Sequence, residues 1–174
     1  MGDDAELWIE SGGDPTTLIS DDYWWDSQYK SNEPPMKKKN TMVFIDAESV
    51  SANHCHRIIG QCKRVGEIFE MRYYALQKDS STAAWKNVAK QYSIKPILMC
   101  GQAAHNKIDN KIIKDIKNIL ESNKSIDIFC IASRDGDYSE VAEYIRSKKK
   151  RVVILATKNT SERLKNMASE VRGI

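Results

Sequence analysis

The 174-residue chain has no apolar run near the roughly 20 residues a bilayer-spanning helix needs. Its opening stretch, Met1–Glu10, is acidic where a secretory leader would carry lysines and then an apolar segment. Both absences predict a soluble, cytoplasmic protein. Cys55, Cys62, Cys100 and Cys130 contain no C-x-x-C pair, so reduced thiols are expected, with Cys100 and Cys130 acting as small hydrophobes in apolar runs. His54-Cys55-His56 does not make a zinc site, because adjacent residues on a helix point about 100° apart. There is no internal repeat and no nucleotide-reading motif.

Basic residues are nearly missing from the first 35 positions. That arm holds nine acids and only Lys30, a net of −8, whereas the 26 basic and 15 acidic residues from Met36 onward leave +11. The overall +3 conceals both. Gly12-Gly13, Asp14-Pro15 and Pro34-Pro35 break any long element in the arm, yet Trp8, Tyr23, Trp24 and Trp25 make it too apolar for a plain tail. Residues 1–35 are therefore expected to form an acidic, aromatic interaction segment, flexible or fused. It would either fold back on the basic body or dock on another protein. Residues 36–174 are expected to form the folded domain.

Strand-like and helix-like segments alternate in that body. Strands are predicted over Thr41–Asp46, Glu67–Leu76, Ile94–Cys100, Ile126–Ala132 and Arg151–Ala156. Helices are predicted near Val50–Val65, Ser81–Tyr92, Lys107–Ser122, Tyr138–Ser147 and Ser161–Ser169. Five strands separated by helices predict an α/β fold, a three-layer α/β/α sandwich around a mainly parallel sheet. In such sheets ligands bind beyond the carboxyl ends of the strands, so the residues just after each strand deserve the closest reading.

Carboxylates gather there. Asp46 closes the run Val43-Phe44-Ile45, where burial is costly without a partner, although a helix cap is an alternative role. On a helical wheel Asp109 falls inside the apolar stripe of Ile108, Ile112, Ile116 and Ile119, a place that demands a cation or strong hydrogen-bond donors. Asp115 lies at the edge of that stripe. Ser133-Arg134-Asp135-Gly136-Asp137 adds two acids just after a buried strand. Three or four neighbouring carboxylates repel one another at neutral pH, and hard divalent cations, Mg²⁺ or Mn²⁺, relieve the repulsion through oxygen ligands. Such ions polarise phosphodiesters and activate water. A basic body attracts a phosphate backbone, and Lys37–Lys39, Lys107, Arg134 and the run Lys148, Lys149, Lys150, Arg151 are the predicted contacts.

The ordered motifs Phe44-Ile45-Asp46-Ala47-Glu48-Ser49, Lys107-Ile108-Asp109 with Asp115 beyond, and Ser133-Arg134-Asp135-Gly136-Asp137-Tyr138 resemble those of NYN domains, the LabA-like branch of the PIN-like nucleases. The resemblance spans about Thr41 to Ser169. It implies a PIN-like, Rossmannoid sandwich and metal-dependent cleavage of RNA, usually single-stranded, with endonucleolytic cleavage the expected mode. By position, Asp46, Asp109, Asp135 and Asp137 would be the catalytic, metal-binding acids, Ser133 would orient them, and Ser49 and Asp115 would support them. Ser49 stands where the family usually has asparagine, and Arg134 where glycine is common. Two other readings compete. One is a non-catalytic RNA-binding or scaffold module recruiting a protein through the arm. The other is a TOPRIM-like phosphoryl-transfer enzyme, which wants a glutamate after its first strand, and only Glu48 could serve.

Overall fold

The computed structural model describes residues 38–78, 80–101 and 106–174. The acidic arm expected over 1–35, Lys37 and part of the loop after the third strand lie outside the described residues. The chain runs β1 (Asn40–Asp46), a 3-10 turn (Ala52–His54), α1 (Cys55–Val65), β2 (Glu67–Leu76), α2 (Ser80–Tyr92), β3 (Lys95–Met99) and α3 (Lys107–Ser122). It continues through β4 (Ile126–Ala132), a second 3-10 turn (Gly136–Tyr138), α4 (Ser139–Ser147), β5 (Arg151–Ala156), α5 (Glu162–Asn166) and β6 (Glu170–Gly173).

All six strands are parallel, in the order β3-β2-β1-β4-β5-β6. The chain grows outward from β1 in one direction, then returns to pair β4 on the other side of β1. The strand order therefore reverses between β1 and β4, and a crevice opens beyond their carboxyl ends. Alternation along β1 divides the core. Val43 and Ile45 pack with Ile58, Cys62 and Trp85 under α1 and α2, and Met42 and Phe44 pack with Ile112, Ile116, Val141 and Ile145 under α3 and α4. The two faces of the sheet are thus both covered, which gives the three layers expected of a parallel sheet.

Three local details differ from the sequence-based expectation. The second half of the predicted last helix is replaced: α5 stops at Asn166, the Ser169 N–H donates to the Val152 carbonyl at 2.9 Å, and the chain enters β6. A sixth strand of four residues, Glu-Val-Arg-Gly, carries too weak an alternation to announce itself, and its pairing with β5 supplies what propensity does not. Cys100 is exposed, with its thiol donating to Gln77 Oε1 at 3.0 Å, and so does not act as a core hydrophobe. Near the amino end of α1, Ser51 accepts the Asn53 N–H at 3.3 Å and a 3-10 turn precedes the helix proper. His56 is exposed and meets the Tyr92 hydroxyl at 2.7 Å, whereas Cys55 is buried, so the His-Cys-His triplet diverges.

Candidate metal centre

Asp46 ends β1 at the switch point with only 4% of its surface exposed. Burying that carboxylate without partners would cost several kcal/mol, so the fold supplies donors. Its Oδ1 accepts the backbone N–H groups of Glu48 and Ser49 at 3.1 and 3.3 Å, an Asx-type turn that also reverses the chain. Its Oδ2 accepts the Ser133 hydroxyl at 2.9 Å. Because Ser133 spends its one proton on Asp46, the 3.1 Å contact between the Ser49 and Ser133 hydroxyls must run from Ser49 to Ser133. Ser49 in turn accepts the Arg134 N–H at 3.3 Å, and Ser133 accepts the Asp135 N–H at 3.1 Å. One relay of hydroxyls therefore locks the β1 loop to the β4 loop and sets the direction in which Asp135 leaves the sheet.

Beyond Ser133 the chain makes a tight turn in which Asp135 Oδ1 accepts the Asp137 N–H at 2.9 Å. Gly136 lets the turn pass close to α5: a Cβ there would sit 2.9 Å from the Ser161 hydroxyl at the start of that helix, which would have to rotate away. The Ser161 N–H also donates to the Arg134 carbonyl at 3.0 Å, fixing the loop from its other side. Asp109 enters from the first turn of α3, where acids favour the helix dipole. Its Oδ1 accepts the hydroxyl of the fully buried Tyr138 at 2.5 Å.

Those turns bring Asp109, Asp135 and Asp137 together, with one carboxylate oxygen from each lying within 4.8 Å of the others. Asp135 and Asp137 are exposed and Asp109 is half-buried. Among the described residues, no ion pair engages these three acids or Asp46. The electrostatic consequence is visible at Asp109: burial, and then the charges of Asp46, Asp135 and Asp137, push its pKa up, while the Tyr138 hydroxyl opposes them. The same burial and negative charges push the Tyr138 phenol far up, so that it remains a donor. The donor set is all oxygen, with neither imidazole nor thiolate, which suits Mg²⁺ or Mn²⁺ over softer ions.

Asp115 lies elsewhere on α3. It is buried and accepts the Tyr74 hydroxyl at 3.0 Å and Lys111 Nζ at 2.6 Å, with Arg72 at 3.8 Å. These partners consume its charge one and a half turns from Asp109. Of the basic residues, Lys107 and Arg134 stand at the carboxyl end of the sheet; Lys107 Nζ donates to the Cys100 carbonyl at 2.5 Å. The run Lys148–Arg151 leads into the start of β5, at the amino end of the strands and the length of a strand, about 20 Å, from the acids. It is also occupied there: Lys148 lies over the Tyr144 ring, Lys150 Nζ donates to the Lys124 carbonyl, and Arg151 pairs with Glu170. Sequence reasoning missed Tyr138 as a site residue. The signal was available, because a buried Asp109 requires a donor and an aromatic with a hydroxyl directly follows Asp-Gly-Asp.

The sequence pattern of the NYN domain matches residues 40–173. The chain belongs to the NYN domain family. It is accordingly a PIN-like nuclease-superfamily domain, and its aspartate cluster lies where that fold gathers ligands. No curated protein is significantly similar to this NYN domain. Among solved structures it resembles a crystal structure of a protein of unknown function from Vibrio parahaemolyticus RIMD 2210633, with a TM-score of 0.66 at 18% identity, covering 81% of this chain and 96% of that one. That likeness concerns the fold alone. A WlbA dehydrogenase from Chromobacterium violaceum, in complex with NADH and UDP-GlcNAcA, aligns at a TM-score of 0.39 and 10% identity over 83% of this chain and 37% of that one, too distant to inform function.

Proposed function

We propose that this NYN domain is a metal-dependent ribonuclease acting on single-stranded RNA, with Asp109, Asp135 and Asp137 as the ligands of Mg²⁺ or Mn²⁺ and Asp46 as the buried acid behind them. The observation that carries this reading is the convergence of three carboxylates, unpaired with any cation among the described residues, at the switch point of a parallel sheet. A bound divalent ion would neutralise phosphoryl oxygens and lower the pKa of an attacking water.

The protein's own groups do the positioning. Tyr138 holds one oxygen of Asp109 and leaves the other clear. The Asp137 N–H does the same for Asp135. Ser49 and Ser133 hold Asp46 in place by donating along a fixed line. In the reaction, water adds to phosphorus while the bond from phosphorus to the leaving ribose oxygen breaks, and that oxygen takes up a proton. Lys107 and Arg134 supply positive charge at the acid end; the run Lys148–Arg151 adds only to the long-range field that attracts a polyanion.

The test is incubation of end-labelled single-stranded RNA with Mg²⁺ or Mn²⁺. Wild type is expected to cleave it, and Asp135→Asn to be slower by about 10³-fold, equivalent to about 4 kcal/mol of transition-state stabilisation. RNA surviving equally with both proteins would sink the proposal. A matched DNA oligonucleotide shows whether the sugar matters.

A further inference from the structure

A cleft of about 610 Å³ opens beside the acids, lined by Ser49, His54, Trp85, Arg134, Lys158 and Asn159 among others. It lies on the other side of the switch point. Asp109 and Tyr138 belong to the layer over Phe44, whereas the apolar floor of the cleft, Ala47, Val50, Ala52 and Trp85, belongs to the core under α1 and α2. Ser49 is common to both: it lines the cleft and begins the hydroxyl relay that reaches Asp46 through Ser133.

Two cations define the chemistry of the cleft. Arg134 has its backbone pinned at both ends, by Ser49 Oγ at 3.3 Å and the Ser161 N–H at 3.0 Å, so its Cα cannot drift. Its guanidinium nevertheless has no ion pair or hydrogen bond among the described residues, and the same holds for the ammonium of Lys158 on the loop after β5. His54 and Asn159 add polar groups, and Glu48 is an acidic side chain in the lining. One cation on a pinned backbone and a second beside it, in a cleft with an apolar wall and a volume within the roughly 300–1,000 Å³ of small-ligand sites, suit a group with an anionic end and a flat apolar body.

We infer that this cleft is a nucleotide subsite, which receives one nucleotide of the RNA strand next to the scissile phosphodiester and holds its phosphate with Arg134 and Lys158. The inference rests on the reading of RNA as substrate. It does not require cleavage. Arg134 offers a planar fork to two phosphate oxygens and Lys158 a point charge, while the base lies beside His54 and the exposed Ala84.

The full chain and fluorescein-labelled single-stranded RNA are compared by anisotropy in EDTA across a series of KCl concentrations, which removes catalysis from the measurement. The double variant Arg134→Gln/Lys158→Gln is expected to bind about tenfold more weakly, with the slope of log affinity against log salt reduced by about 0.7, the value for one phosphate contact on a single strand. Lys63→Gln/Arg64→Gln removes the same charge at the far end of α1 and is expected to change affinity less than about twofold. Wild-type affinity and slope in the Arg134/Lys158 variant would overturn the subsite, as would an equal loss in the Lys63/Arg64 control. Competition by a free nucleoside monophosphate that displaces no RNA while binding the protein would also overturn it. If RNA binding falls as expected but wild type cleaves no RNA with any divalent ion, the subsite stands and the nuclease reading fails.

Discussion

The two ends of the sheet carry similar kinds of residue and treat them in opposite ways. At the amino ends of the strands charges are matched: Arg151 pairs with Glu170, Lys150 stands 3.9 Å from Asp127, and Asp127 also accepts the Asn40 N–H at 3.2 Å. At the carboxyl ends four aspartates collect and, among the described residues, no cation pairs with them; there too Arg134 and Lys158 line a cleft with no carboxylate paired to them among those residues. The local order of the acids comes instead from hydrogen bonds, through Ser133, Ser49, Tyr138 and the Asp137 N–H, which position a carboxylate without neutralising it.

Substitutions can break this contrast. Asp46→Ala should have the largest effect on the fold, because it orphans two backbone N–H groups and the Ser133 hydroxyl in a buried place. A loss of about 2–3 kcal/mol in urea unfolding is expected, since hydrogen bonds to charged groups contribute about 1.5–3 kcal/mol and the relief of repulsion on Asp109 offsets part of it. Tyr138→Phe comes next, at about 1–2 kcal/mol for a lost buried hydrogen bond to a carboxylate. It should also move chemistry in a definite direction. The hydroxyl opposes the rise in the Asp109 pKa, so without it Asp109 holds its proton to higher pH. The acid limb of the pH–rate profile, and the midpoint for Mn²⁺ binding, should both shift upward; an unmoved profile would remove Tyr138 from the site.

Asp109→Asn should act with the opposite sign on stability. The folded-state pKa of Asp109 is raised above its unfolded value, so its contribution is fully favourable below the ordinary carboxylate pKa and is lost as pH rises through the raised value. Above that point the ionised group strains the cluster. Removing its charge at pH 7 should raise Tm in EDTA by about 2–4 °C, a gain on the order of 1 kcal/mol, and abolish the further Tm rise that Mg²⁺ or Mn²⁺ gives wild type. A lower Tm in EDTA would mean that the acids are not crowded. The smallest effect is expected at the other end, where Glu170→Gln breaks partly exposed ion pairs worth about 0–1 kcal/mol and should leave RNA cleavage unchanged.

Much of this was readable before folding. The spans of β2, β4, β5 and α3 coincide with the runs picked out by hydrophobic pattern, because each is long or wholly buried and its apolar period is clear. Asp109 was conspicuous because a carboxylate inside an apolar stripe is costly. Other features were not readable. Asp115 shares the helix and the sign of Asp109, but only the packing of β2 against α3 places Tyr74 and Arg72 against it. The run Lys148–Arg151 directly precedes the predicted strand Arg151–Ala156, so its place at the amino end was legible, but its contacts with Tyr144, Lys124 and Glu170 depend on packing.

The sequence by itself determined the alternating α/β architecture, the family, and the fact that aspartates follow three separate strands or begin the helix after one. These properties are local: period, composition and motif spacing are set within ten or twenty residues. Tertiary structure decided which acids share a site, which hydroxyl serves which carboxylate, and which cations stay free, because each depends on groups 29 to 87 positions apart along the chain and on the reversal of strand order that brings β1 beside β4.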